Sequence, residues 1–107
     1  MNDAKKKGYT VTLLFFWLQN IELAVERVKM RVTDGGHNID REVIERRYKR
    51  GINNLFSIYW TMVDGLIIFD NSSGTPEWIV QKLFDGLTII IDNKKFDILT
   101  HYYESHR

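Results

Sequence analysis

The chain has 107 residues, enough for one small domain and too few for two independent cores, so residues 1–107 read as a single domain. Its 44% hydrophobic and 13% aromatic content is that of a folded protein, while 15 basic against 14 acidic residues exclude a global field for nucleic acid or an anionic membrane surface. With no cysteine there is neither a disulfide framework nor thiolate chemistry, which suits an intracellular protein.

The first predicted element is a strand from Tyr9 to Leu18, a β-branched, aromatic and leucine run with hardly a polar residue past Thr12. Such a run is expected to be covered on both faces, as in a parallel sheet. Its purely apolar part, Leu13 to Leu18, is far too short to span a bilayer as a helix and has no small-residue cleavage site after it. The expectation is therefore a soluble, cytoplasmic chain. Before it, Lys5-Lys6-Lys7 and Gly8 look like the last turn of a helix.

Asn20 is a candidate cap for a helix with Ile21, Ala24, Val25, Val28 and Val32 at helical spacing. The pattern breaks over 33–38, where Gly35 and Gly36 are free to take positive φ. Asp40 is a candidate cap for a second helix of about 22 residues, or ~33 Å at 1.5 Å per residue. Its stripe is Ile44, Tyr48, Ile52, Leu55, Tyr59 and Met62. The charged first half is expected to project and the aromatic second half to pack, with Glu42–Arg46 and Glu45–Lys49 as surface pairs. A short buried strand, Asp64 to Asp70, ends in Asn71-Ser72-Ser73-Gly74. Glu77 to Phe84 and Leu87 to Asp92 flank Asp85-Gly86, a hairpin signal, with Trp78, Val80, Lys82 and Phe84 alternating against Ile79, Gln81 and Leu83; a helix starting after Pro76 is the alternative for the first of these segments. A helix from Lys94 to Glu104 closes the chain, burying Phe96, Leu99 and Tyr103. The fold class is α/β.

Chemistry concentrates between Arg27 and Arg50. Arg27 and Arg31 stand one turn apart on the first helix, and Arg46 and Arg50 one turn apart on the second. Two cationic faces would meet across a turn containing Gly35, Gly36 and His37. Guanidinium forks match phosphate oxygens, so the segment reads as a lid over a phosphorylated ligand. Two solvated amphipathic helices satisfy the same pattern. His37 could donate to a phosphate or a ribose, or tie the turn to its own backbone.

Other signals are negative. The sequence contains no Gly-x-x-x-x-Gly-Lys-Ser/Thr loop to hold phosphates, and Gly35-Gly36 has neither a preceding strand nor a following Lys-Ser/Thr. His101 and His106 are one residue too far apart for two ligands on one helical face, so no metal site is expected. Asp70-Asn71-Ser72 follows a strand where open α/β sheets place ligand groups, and it is equally an ordinary Asx turn.

Taken in order, Gly8-Tyr9 before a buried strand, Arg27-Val28 and Arg31-Val32 before Gly35-Gly36-His37-Asn38-Ile39, Ile44-Glu45-Arg46-Arg47-Tyr48 with Asn53-Asn54-Leu55, and Asp70-Asn71-Ser72 resemble the zeta-toxin-like family of P-loop kinases, also labelled predicted ABC-type ATPases, over roughly residues 5 to 98. The resemblance implies a partial P-loop kinase-like architecture: the C-terminal half of a bacterial, doubly wound kinase, without its Walker lysine and catalytic carboxylate. Arg31 would match the arginine at the lid's edge, and Arg46 or Arg47 the one that reaches ATP phosphates from the next helix. Gly35, Gly36 and His37 would form the lid turn, and Arg50 extends the cationic face. It further implies ATP with Mg2+ as cofactor and a toxin–antitoxin setting. The partner would be a P-loop half, an antitoxin or a second copy of the chain, with no nucleic acid or membrane. By this reading the chain is a truncated kinase portion, inactive alone, or a non-enzymatic interaction module derived from that fold.

Overall fold

The computed structural model describes residues 10–33, 35 and 39–107. The expected N-terminal helix end at Lys5 to Gly8 and the lid turn through Gly36 and His37 fall outside the described residues. In chain order the elements are β1 (Thr12–Trp17), α1 (Ile21–Thr33), α2 (Arg41–Asn54), β2 (Gly65–Asp70), β3 (Glu77–Lys82), β4 (Thr88–Ile90) and α3 (Asn93–His106). The architecture is α/β with one four-stranded mixed sheet in the order β1-β2-β3-β4. β1 and β2 are parallel, so α1 and α2 form the crossover between them, and β2-β3-β4 is an antiparallel meander.

Cross-strand partners share a face. Leu13, Phe15 and Trp17 of β1 pair with Leu66, Ile68 and Asp70 of β2 and face the helices, which contribute Ile52, Leu55 and Leu99 to the same core. Each of these fully buried aliphatic side chains is worth about 1.5–3 kcal/mol. The expected two-sided burial of β1 does not occur. Thr12, Leu14 and Phe16 point the other way and are exposed, because the helices all pack their apolar residues on one side of the sheet. On the bare side Phe16 stacks on Phe69 with ring centroids 5.1 Å apart, and Phe69 meets Trp78 edge-on at 5.3 Å.

The hairpin forms where Asp85-Gly86 places it. Gly86 has φ +91, Asp85 Oδ1 accepts from Leu87 N at 3.0 Å, and Gly86 N donates to Leu83 O at 2.9 Å. Strict alternation along β3 fails, however. The register shifts between Ile68 and Phe69, so that Val80 pairs with Ile68 but Trp78 pairs with Phe69. Ile79 is the bulged residue, which lets Ile79 and Val80 both be fully buried and turns Trp78 to the bare face.

The long helix also departs from a uniform stripe. After Asn54 it continues through a π-helical turn, Leu55–Tyr59, and a last helical turn, Trp60–Met62. The extra residue in that turn shifts the apolar face by one position, bringing Phe56 and Trp60 against Phe96 and Phe56 against Tyr103. The last carbonyls are capped by Lys82 of β3, whose Nζ donates to Trp60 O and to Val63 O. The first half of the helix does not project free, since Ile44 is buried and Tyr48 donates its hydroxyl to Leu18 O at 2.6 Å. At the helix starts Asn20 caps α1 through Leu23 N (3.0 Å). Asp40 stands at the N-cap of α2 but its side chain makes no cap bond. Asp92 caps α3 through Lys95 N (3.1 Å), starting it one residue earlier than expected.

Candidate functional site

Two clusters of polar residues stand out, and the fold treats them differently. The first lies at the end of β2. Asp70 is 2% exposed, yet its oxygens are satisfied: Oδ1 accepts from Ser72 N at 2.9 Å, and Oδ2 accepts from Gln19 Nε2 at 2.8 Å and lies 2.9 Å from Lys95 Nζ. Burial pushes this carboxyl up, but hydrogen bonding from Ser72, Lys95 and Gln19 outweighs it and holds the pKa down to about 2. Lys95 is bound at 2.6 Å by Glu77 as well, and Glu77 first, then Asp70, hold its ammonium above the usual range. Of the two readings of Asp70-Asn71-Ser72, the geometry is that of the Asx turn. Arg27 belongs to the same structural set, because it donates to Asn71 O at 2.8 Å and Ser72 O at 3.2 Å.

The second cluster is built by α1 and α2. Both elements are helices, so residues three and four apart share a face. Arg31 and Arg47 line one cleft of about 330 Å3 floored by Leu18, Ala24, Val28, Ile44 and Tyr48. Arg31 and Arg27 also line an adjoining cleft of about 470 Å3 with Phe16, Met30 and Asn71. The buried Asn71 Oδ1 there has no hydrogen-bond partner among the described residues. Gly35, at φ +97, stands in the turn that follows α1.

The predicted arginine group is thereby divided. Arg31 and Arg47 come together, whereas Arg46 and Arg50 lie on another face of α2, in a cleft against the end of α3. Helical geometry explains the division, since neighbours in sequence point about 100° apart. Neither expected surface pair, Glu42–Arg46 or Glu45–Lys49, forms among the described residues. Glu45 binds Arg41 at 2.9 Å, and Arg41 also bonds Glu22 of α1. Arg41 thus ties the starts of the two helices together and takes the carboxylate that Lys49 would have used. Its guanidinium is held above its usual range by Glu22 and then Glu45, and the Glu22 carboxyl is correspondingly lowered by its bond to Arg41.

Among the described residues, no group of three His, Cys, Asp or Glu side chains is placed to hold a metal ion. No helix among them is long and apolar enough to cross a membrane. Sequence reasoning missed Gln19 and Lys95, which converge on Asp70 from just past β1 and from α3. A carboxylate closing an apolar strand signals that some partner is needed, but nothing local says which.

Among known proteins, a protein of Haemophilus influenzae described only as an uncharacterized protein is 35% identical over 48 residues, which is 45% of this chain and 34% of that protein. The matched segment thus spans about a third of the relative's length. No known protein family and no solved structure matches the chain.

Proposed function

We propose that this chain supplies the lid and two phosphate-contacting arginines, Arg31 and Arg47, of a zeta-toxin-like ATP-dependent kinase, and that it is inactive without a P-loop half. The observation that carries the reading is the cleft shared by Arg31 and Arg47. Both side chains are exposed, and neither has an ion-pair partner among the described residues. Their guanidinium groups are free to take a phosphate bidentately from two sides, neutralising charge on the oxygens and fixing their position. Arg27, already bonded to the Asn71–Ser72 backbone, orients the wall beside them rather than binding ligand. The nucleotide supplies the phosphoryl group when bound. The donor set suits phosphate oxygens but offers no carboxylate to Mg2+, so the metal's protein ligands and the Walker lysine belong to the missing half. A cytoplasmic setting and an antitoxin partner come with this reading.

Amide NMR of labelled protein during addition of Mg-ATP tests it. Saturable shifts should centre on Arg31, Gly35 and Arg47 and vanish in the Arg31→Ala/Arg47→Ala variant. A well-dispersed spectrum without shifts would sink the nucleotide role. Addition of a P-loop half should then restore ATP hydrolysis, and associated but silent halves would refute the kinase reading.

A second reading, a non-enzymatic interaction module, is favoured by the bare sheet face, where Leu14, Phe16, Trp78 and Ile89 are all exposed. Under it, sedimentation shows concentration-dependent association, while a compact monomer that binds no hydrophobic dye counts against it.

A further inference from the structure

We propose that the cleft between α2 and the end of α3 is a docking site for an extended acidic segment of a partner protein, separate from the Arg31–Arg47 cleft and independent of the kinase reading. Arg46, Lys49 and Arg50 share one face of α2 and line a cleft of about 290 Å3 together with Asn53, His106 and Arg107. None of those three cations has an ion-pair partner among the described residues. Of the nearby carboxylates, Glu45 is held by Arg41 and Glu104 by Arg107 of the same cleft at 3.1 Å, so neither pairs with these three cations. In a chain whose formal net charge is only +1, this leaves a concentrated local positive field.

The cleft continues along the helix. Arg46, Lys49 and His106 also border a groove of about 470 Å3 floored by Ile21 and Tyr102, with Glu45, held by Arg41, on its wall and Glu42 at its end. From Glu42 to Asn53 the helix rises ~16 Å, at 1.5 Å per residue, which an extended chain of about five residues spans. The floor is held firmly. Tyr102 meets Tyr48 edge-on at 5.3 Å and stacks on His106 at 4.0 Å, and His106 Nδ1 lies 2.9 Å from Tyr102 O, so that nitrogen donates to the carbonyl. Glu42, with no ion-pair partner among the described residues, gives the groove a direction. Carboxylates belong at the Arg50 end, and an apolar side chain belongs over Ile21 and Tyr102.

The arrangement favours a polypeptide over a small anion or a nucleic acid. Arg46, Lys49 and Arg50 lie close enough to share one anion, and it is the apolar floor of Ile21 and Tyr102 beside them that suits a polypeptide side chain. The positive patch is also too short, and too close to Glu42, for a phosphodiester backbone.

The test is fluorescence anisotropy at low salt with a fluorescein-labelled peptide of three consecutive glutamates followed by two leucines. Binding should saturate and weaken about threefold for each of Arg46→Ala, Lys49→Ala and Arg50→Ala, the scale of exposed ion pairs. It should be lost in the triple variant and retained in Arg31→Ala/Arg47→Ala, which separates this site from the nucleotide reading. A dispersed amide spectrum of the triple variant shows that it is folded. The proposal is overturned if the triple variant binds as well as the parent chain. Equal binding of an oligonucleotide of the same charge, or competition by equimolar inorganic phosphate, overturns it as well.

Discussion

The charges at the end of β2 and those along α1 and α2 differ in whether the fold brings a group of opposite sign against them. Asp70 is buried and meets Lys95, Gln19 and Ser72, while Arg31, Arg46, Arg47, Lys49 and Arg50 are exposed and have no ion-pair partner among the described residues. A buried charge must be paired or the fold pays heavily, so the first cluster is explained by stability alone. An exposed cation costs little to leave unpaired, so stability does not explain why two clefts collect them, whereas the proposed binding roles would.

The most severe challenge to this contrast is Lys95→Met, which leaves Asp70 as a buried carboxylate without its cation. We expect a larger fall in urea midpoint than from any change at Tyr48 or among the exposed arginines, together with protonation of Asp70 at higher pH. If the midpoint does not move, the cluster is not what stabilises this end of the sheet.

Next in size is the acid limb of stability. Because the folded pKa of Asp70, about 2, lies below its ordinary value of 3.8, the folded state binds fewer protons than the unfolded chain. The stabilisation is present above pH ~4 and is lost as pH falls toward 2, amounting to about 2 kcal/mol. Asp70→Asn should flatten that limb in urea titrations between these pH values.

Tyr48→Phe removes the hydroxyl that bonds Leu18 O and should cost about 1 kcal/mol. Burial also pushes the Tyr48 phenol up to about 12. Ultraviolet titration should therefore find this phenol ionising well above its ordinary value, with its share of stability present below pH ~10 and lost as pH rises through the folded value.

The smallest stability effects belong to the unpaired arginines. Arg31→Ala and Arg47→Ala should leave the urea midpoint unchanged while abolishing the shifts caused by Mg-ATP, and a fall in midpoint without loss of shifts would reverse the assignment.

Local signals were legible where the physics is local. Asn20 as a cap, Asp85-Gly86 as a turn and the 22-residue reach of the second helix follow from side-chain hydrogen bonding, positive φ and periodicity. The candidate site was half legible. Helical spacing brought out the arginines, but not which of them share a cleft, because that depends on where α1 and α3 lie around α2. Pairing was legible least, since Glu45 had Arg41 and Lys49 equally spaced on either side and only the approach of Glu22 from α1 fixed Arg41.

Composition and local pattern were enough for the α/β class, the hairpin, the helix starts and a run of arginines around a glycine turn. Contacts between distant elements were needed for the rest: no described element covers one face of the sheet, Ile79 bulges, Asp70 is neutralised by Lys95 from 25 residues away, and Arg31 joins Arg47 rather than Arg46. The reason is one of range. Caps, turns and periodicity act within a few residues, whereas the partner of a buried charge and the neighbour across a cleft are chosen by how elements far apart in the chain pack together.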